Sequence, residues 1–144
     1  MVTKNVLIQY SDLQEEIKEV RNRIDKTEKE ISKIESDGCV TDSVRGGYGG
    51  IQHYKIEGFP YPEYNRKKTL LYARKATLTS LEMELLEMLN SVEEFIAGID
   101  DSRMRRIITL RFIDNLSWNE VARSIGGNTE DSIKKSFYRF MEKD

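Results

Sequence analysis

The chain has 144 residues, 38% hydrophobic and 33% charged, and a formal net charge of −2. Its length suits one domain, or one small domain with a helical extension, and its regular periodicity separates it from disordered chains of similar polarity. No apolar run approaches the roughly 20 residues of a membrane helix. Val6-Leu7-Ile8 is far shorter than a signal-peptide core, and a net negative chain is no generic coat for nucleic acid. Cys39 is the only cysteine, so no internal disulfide is available, which suits a reducing cytoplasm as the expected location.

Met1 to Gln9 reads as a short disordered or strand-like lead-in. From about Tyr10 to Ser36 the pattern is helical, with Ser11 as a candidate cap. Leu13, Ile17, Val20, Ile24, Thr27, Ile31 and Ile34 recur by four and three residues, a heptad seam. In a parallel dimer Glu16 would meet Arg21 and Arg23 would meet Glu28, but Glu30 would meet Glu35, so charge does not decide the pairing. A second long helix is expected from about Tyr64 to Ala97. Leu71, Arg74, Leu78, Leu81, Leu85, Met88, Val92 and Phe95 form its seam, and Leu70, Leu86, Leu89 and Ile96 widen the stripe. An antiparallel hairpin of the two helices is the simplest arrangement, and an intermolecular coiled coil, giving a homodimer through the hairpin, stands level with it.

Residues 37–63 form a long insertion between these helices, longer than structureless loops usually are. Val40 to Val44 and Ile51 to Ile56 flank Arg45-Gly46-Gly47-Tyr48-Gly49-Gly50, which predicts a small β-hairpin. It reads either as a seal on the end of the helical pair or as a contact tip exposing Arg45, Tyr48, His53 and Tyr54, with the first preferred. The glycine run lacks the Gly-Lys-Ser/Thr ending of a phosphate loop. His53 is the only histidine. With Cys39 alone beside it, neither a metal site nor a Cys-His nucleophile pair is indicated. Asp100-Asp101 reads as a helix cap, and Met83, Met88, Met104 and Met141 read mostly as core. No cofactor and no enzymatic activity are expected.

The C-terminal part carries the most specific signal. Gly98 ends the second helix, Asp100 or Asp101 caps the next, and Met104, Ile107, Ile108, Leu110 and Phe112 mark a helix to Ile113. Ser117 with Glu120 three residues later is a capping box. Trp118, Val121, Ala122 and Ile125 then fall at i, i+3, i+4 and i+7. Gly126-Gly127 ends that helix, Asn128 or Thr129 caps the next, and Ile133, Phe137, Phe140 and Met141 form its apolar stripe. The result is a helix-turn-helix pattern, preferred over a plain helical bundle end. Expected boundaries are residues 1–98 for the hairpin with its insertion and 99–144 for the second domain. From Asp101 to Asp144 nine basic residues oppose seven acidic ones, a net of +2, so such a module would bind DNA weakly as a monomer.

The run from Asp101 to Ala122, Asp-Ser-Arg-Met-Arg-Arg-Ile-Ile-Thr-Leu-Arg-Phe-Ile-Asp-Asn-Leu-Ser-Trp-Asn-Glu-Val-Ala, resembles the fourth region of bacterial sigma factors. More narrowly, the chain is similar to phage-encoded RinA- or ArpU-like transcriptional regulators of Gram-positive hosts. The strong match covers about the last 44 residues, with a weaker one at Asp42 to Gly47; the turn is one residue longer than in the common motif. The resemblance implies an all-α fold, a long hairpin followed by a three-helix sigma-like helix-turn-helix. It also implies a regulator working in the host bacterial cytoplasm on promoter DNA, RNA polymerase, or both.

On the docking geometry of such motifs, Thr129, Ser132 and Lys135 are candidates for base edges, and Glu130 and Asp131 can accept from cytosine amino groups. Lys134, Tyr138, Arg139 and Arg123 suit phosphates. Two rivals accompany this reading: a module that docks on polymerase without reading bases, and a phage DNA-packaging recognition subunit.

Overall fold

The computed structural model describes residues 2–44 and 58–143, and for 38–44 it describes the backbone alone. Every element among them is helical. Helix α1 spans Lys4–Val44 and α2 spans Tyr61–Ala97. Helix α3 is Ser102–Ile108 and runs into a single π turn, Thr109–Ile113; α4 is Trp118–Ile125 and α5 is Glu130–Glu142.

The expected lead-in is instead the first two turns of α1. Thr3 starts it, its hydroxyl accepting from the Val6 N–H at 3.2 Å, because Leu7 and Tyr10 are core residues, 0% and 2% exposed. Ser11, expected as a cap, lies inside the helix and donates its hydroxyl to the Asn115 amide oxygen. The other end of α1 also runs further than expected. Its backbone is helical through Val44, which overturns the strand expected at Val40 to Val44. The rest of the expected β-hairpin, with Arg45, Tyr48, His53 and Tyr54, lies outside the described residues.

Two compact units result: residues 1–17 with 81–144, and residues 18–80. The division does not fall at Gly98 because the start of α1 and the end of α2 belong to the same hydrophobic core as the C-terminal helices.

In the unit of residues 18–80, α1 and α2 lie antiparallel. Tyr64 donates its hydroxyl to Glu35 at 3.2 Å. Lys67 pairs with Glu30 at 2.7 Å, and Lys75 with Glu28 at 3.3 Å. The heptad seam of α1 is therefore occupied within the chain: Val20, Ile24, Thr27, Ile31 and Leu71 are buried. The polar member of each helix's seam meets the other's. Arg74 donates to the Thr27 hydroxyl at 2.7 Å, and that hydroxyl donates to the Arg23 carbonyl at 2.8 Å. A satisfied polar pair in an apolar seam fixes register more than it adds stability. The Lys67 ammonium, bonded to Glu30, holds that carboxyl below its ordinary value.

In the other unit the core gathers Leu7, Tyr10, Val92, Ile99, Met104, Ile107, Ile108, Phe112, Val121, Ile133 and Phe137. Asp101 caps α3, accepting from the Arg103 N–H at 3.0 Å. The π turn is where the expected helix to Ile113 departs from regular geometry. The Asp114 N–H bonds the Thr109 carbonyl at 2.9 Å, and the wider turn brings Phe112 rather than Arg111 into the core. Asn115 follows at φ +57°, in the left-handed region that Asn tolerates. There its side chain bonds both Ser11 and Glu15, while Gln14 donates to the Ile113 carbonyl at 3.1 Å. These bonds pin the early turns of α1 onto the loop that leads into α4.

Candidate nucleic-acid interface

Helices α4 and α5 form a helix-turn-helix whose start, turn and core each follow from local chemistry. Both halves of the capping box are present: the Glu120 N–H donates to the Ser117 hydroxyl at 3.2 Å, and the Ser117 N–H to the Glu120 carboxylate at 3.0 Å. The Ser117 backbone N–H, and after it the Ser117 hydroxyl, hold the Glu120 carboxyl below its ordinary value. At the other end of α4, Gly126 and Gly127 take φ +80° and +68°, angles that strain any side chain although the space around them is open. Thr129, not Asn128, caps α5, its hydroxyl accepting from the Ser132 N–H at 3.2 Å. Asn128 donates instead to the Gly126 carbonyl at 3.0 Å and braces the turn.

Val121, Ala122, Ile133, Phe137 and Met141 are buried between the helices. Around Phe137 stand Phe112 at 5.2 Å, Trp118 at 5.4 Å and Tyr138 at 5.4 Å between ring centroids, within the range of favourable aromatic pairing. The Arg111 guanidinium lies 5.3 Å from the Trp118 ring centroid and donates to the Leu116 carbonyl at 3.0 Å. It thereby ties the π turn to the start of α4.

With Ile133 and Phe137 turned inward, the opposite face of α5 is left to solvent. Thr129, Asp131, Ser132, Lys135, Ser136 and Arg139 line a shallow groove of about 340 Å³ along it. Five of the nine residues singled out from sequence thus come together: Thr129, Asp131, Ser132, Lys135 and Arg139. Ser136 joins them unanticipated, although its place four residues after Ser132 puts it on the same helical row. Glu130 is exposed in the first turn of α5, Lys134 is half-buried to one side of the groove, and Arg123 is exposed on α4. Tyr138 sits elsewhere: half-buried, it packs on Phe137 and Trp118 and carries the Lys4 ammonium 5.0 Å over its ring. It braces the motif rather than opening onto the groove.

The groove holds hydroxyls, two cations and one carboxylate, a set that can bond phosphate oxygens and base edges. Among the described residues no cluster of His, Cys, Asp or Glu could hold a metal. No helix among the described residues is long and apolar enough to cross a membrane. Comparison with protein families, curated proteins and solved structures finds no match to this chain.

Proposed function

We propose that the chain is a phage or prophage transcriptional regulator that binds promoter DNA through α5, with α4 bracing it across the backbone. The observation that carries this reading is the division of α5 into two faces. Ile133, Phe137 and Met141 are committed to the core, while Thr129, Ser132, Lys135, Ser136 and Arg139 stand together on the open side. A helix so divided, 13 residues long, has the dimensions that enter a major groove. Lys135 and Arg139, one turn apart, suit adjacent phosphates or a guanine edge, and Asp131 can take a cytosine amino group.

The test is a gel shift with a pool of phage promoter duplexes. Removing charge at Lys134, Lys135 and Arg139 together abolishes retention if the reading holds and leaves it unaltered if it does not. Docking on RNA polymerase is the second reading. It is favoured by a separate apolar hollow of about 380 Å³ on the same unit, lined by Ile96, Ser102, Arg105, Arg106, Leu110 and Ser124. Retention of polymerase but not of duplex DNA at low salt would select it.

A further inference from the structure

We propose that the unit carrying the helix-turn-helix docks a second protein, which lays a basic amphipathic helix against the end of α2. Every residue invoked belongs to the unit of residues 1–17 with 81–144. Between the first turns of α1 and the end of α2 lies an open hollow of about 490 Å³, lined by Val2, Val6, Ser91, Glu94 and Phe95. Its floor is apolar and its size suits large apolar side chains. Further along the same helix stand Met83 and Leu86, 62% and 60% exposed. Scattered singly, such residues need no explanation. Steps of three and four, however, put Met83, Leu86, Glu87, Asn90, Ser91 and Glu94 on one side of α2. The exposed apolar pair therefore leads along the helix to the mouth of the hollow.

Charge selects the occupant. From Leu81 to Ala97, α2 holds five glutamates and no cation. Glu82 is engaged within the chain. Glu84, Glu87, Glu93 and Glu94 are exposed and take no ion pair among the described residues. Lys4, the only cation of residues 1–17, is drawn away over the Tyr138 ring. The helix gains nothing from this arrangement by itself. Glu84 and Glu87 lie within one turn of each other and repel. Glu93 and Glu94 stand at the C-terminal end, where the helix's own carbonyls are already negative. A cationic partner relieves both costs, whereas duplex DNA is repelled from this face.

The occupant is thus a helix with apolar side chains along one side, seated on Met83, Leu86 and the hollow, and with lysine or arginine on its flanks opposite the glutamates. The hollow is distinct from the one that Ile96 and Ser102 line, and nothing in this docking depends on DNA binding.

The probe is a fluorescent peptide of about 15 residues, with leucine at i, i+3, i+4 and i+7 and lysine on both flanks. Its control carries glutamate at every lysine position. Anisotropy titrations use the full chain at low salt. The lysine peptide is expected to bind and the glutamate peptide to stay free. Glu87→Lys with Glu94→Lys should weaken binding at least about tenfold, as loss of close charge pairs across an interface does. Ser91→Tyr fills the mouth of the hollow without changing charge, and should weaken it as much. All three residues are exposed, so both variants should melt as the wild type does. Wild-type affinity in either variant would overturn the proposal, because the contact would then be diffuse charge or lie elsewhere. Equal binding of the two peptides, or binding of neither at millimolar protein, would overturn it as well.

Discussion

The hairpin of residues 18–80 and the unit that carries the helix-turn-helix are both wholly helical among the described residues, yet they cohere differently. In the hairpin unit the buried residues form one narrow line, Val20, Ile24, Thr27, Ile31 and Leu71, with ion pairs along its edges. In the other unit, Ile107, Ile108, Val121 and Ile133 are fully enclosed and Phe137 is 1% exposed at the centre of an aromatic cluster. A seam tolerates loss of one layer because water already lies along both its edges. An enclosed core does not, since a deleted side chain leaves a cavity.

The largest expected effect is therefore that of Phe137→Ala, which should destabilise by about 3–5 kcal/mol and abolish the cooperative melt of the helix-turn-helix. Trp118→Ala should cost less, because Trp118 is only half-buried; chemical denaturation ranks the two, and an equal or larger loss at Trp118 would contradict the assignment of Phe137 as the centre. Next comes the polar pair of the hairpin. Thr27→Val strips Arg74 of its partner inside the seam; because Arg74 is only half-buried, the loss should sit at the low end for a deserted donor, about 1 kcal/mol. Arg74→Leu in the same chain should recover most of that loss, and failure to do so would show the pair to be a stability element rather than a register element. Ser117→Ala, removing half of the capping box, should cost about 1 kcal/mol.

The smallest effect is one of pH. Glu120 titrates below its ordinary value of 4.5 when folded. Its contribution is thus fully present above that value and is lost as pH falls through the lower, folded value. The difference in melting temperature between the wild type and Glu120→Ala should narrow in that acid window and stay constant above it.

Much of this was legible in the sequence because periodicity, caps and glycines are local signals. The α1 seam from Leu13 to Ile34, the Ser117–Glu120 box and the glycine turn all require only neighbours in the chain. What escaped was set at long range. Leu7 and Tyr10 look like a lead-in until the C-terminal core they join is known, so sequence alone starts α1 too late. The π turn has no sequence mark. It arises where Phe112 must reach Phe137 while Asn115 reaches Ser11 and Glu15. Spacing along α5 places Tyr138 beside Lys135 as a phosphate contact, but Trp118 and the Lys4 ammonium claim its ring. Of the groove, the charged and hydroxyl residues of α5 followed from helical spacing once Phe137 was fixed as inward.

The salt dependence of duplex binding, measured for the wild type and for the Lys135→Ala, Arg139→Ala double variant, tests the central claim most directly. Each phosphate contact contributes about 0.9 to the slope of log affinity against log salt. The double variant should bind more weakly at every salt concentration, with a slope shallower by about two, while melting as the wild type does. Equal affinity and equal slope in the two proteins would remove α5 from the DNA and the proposed function with it.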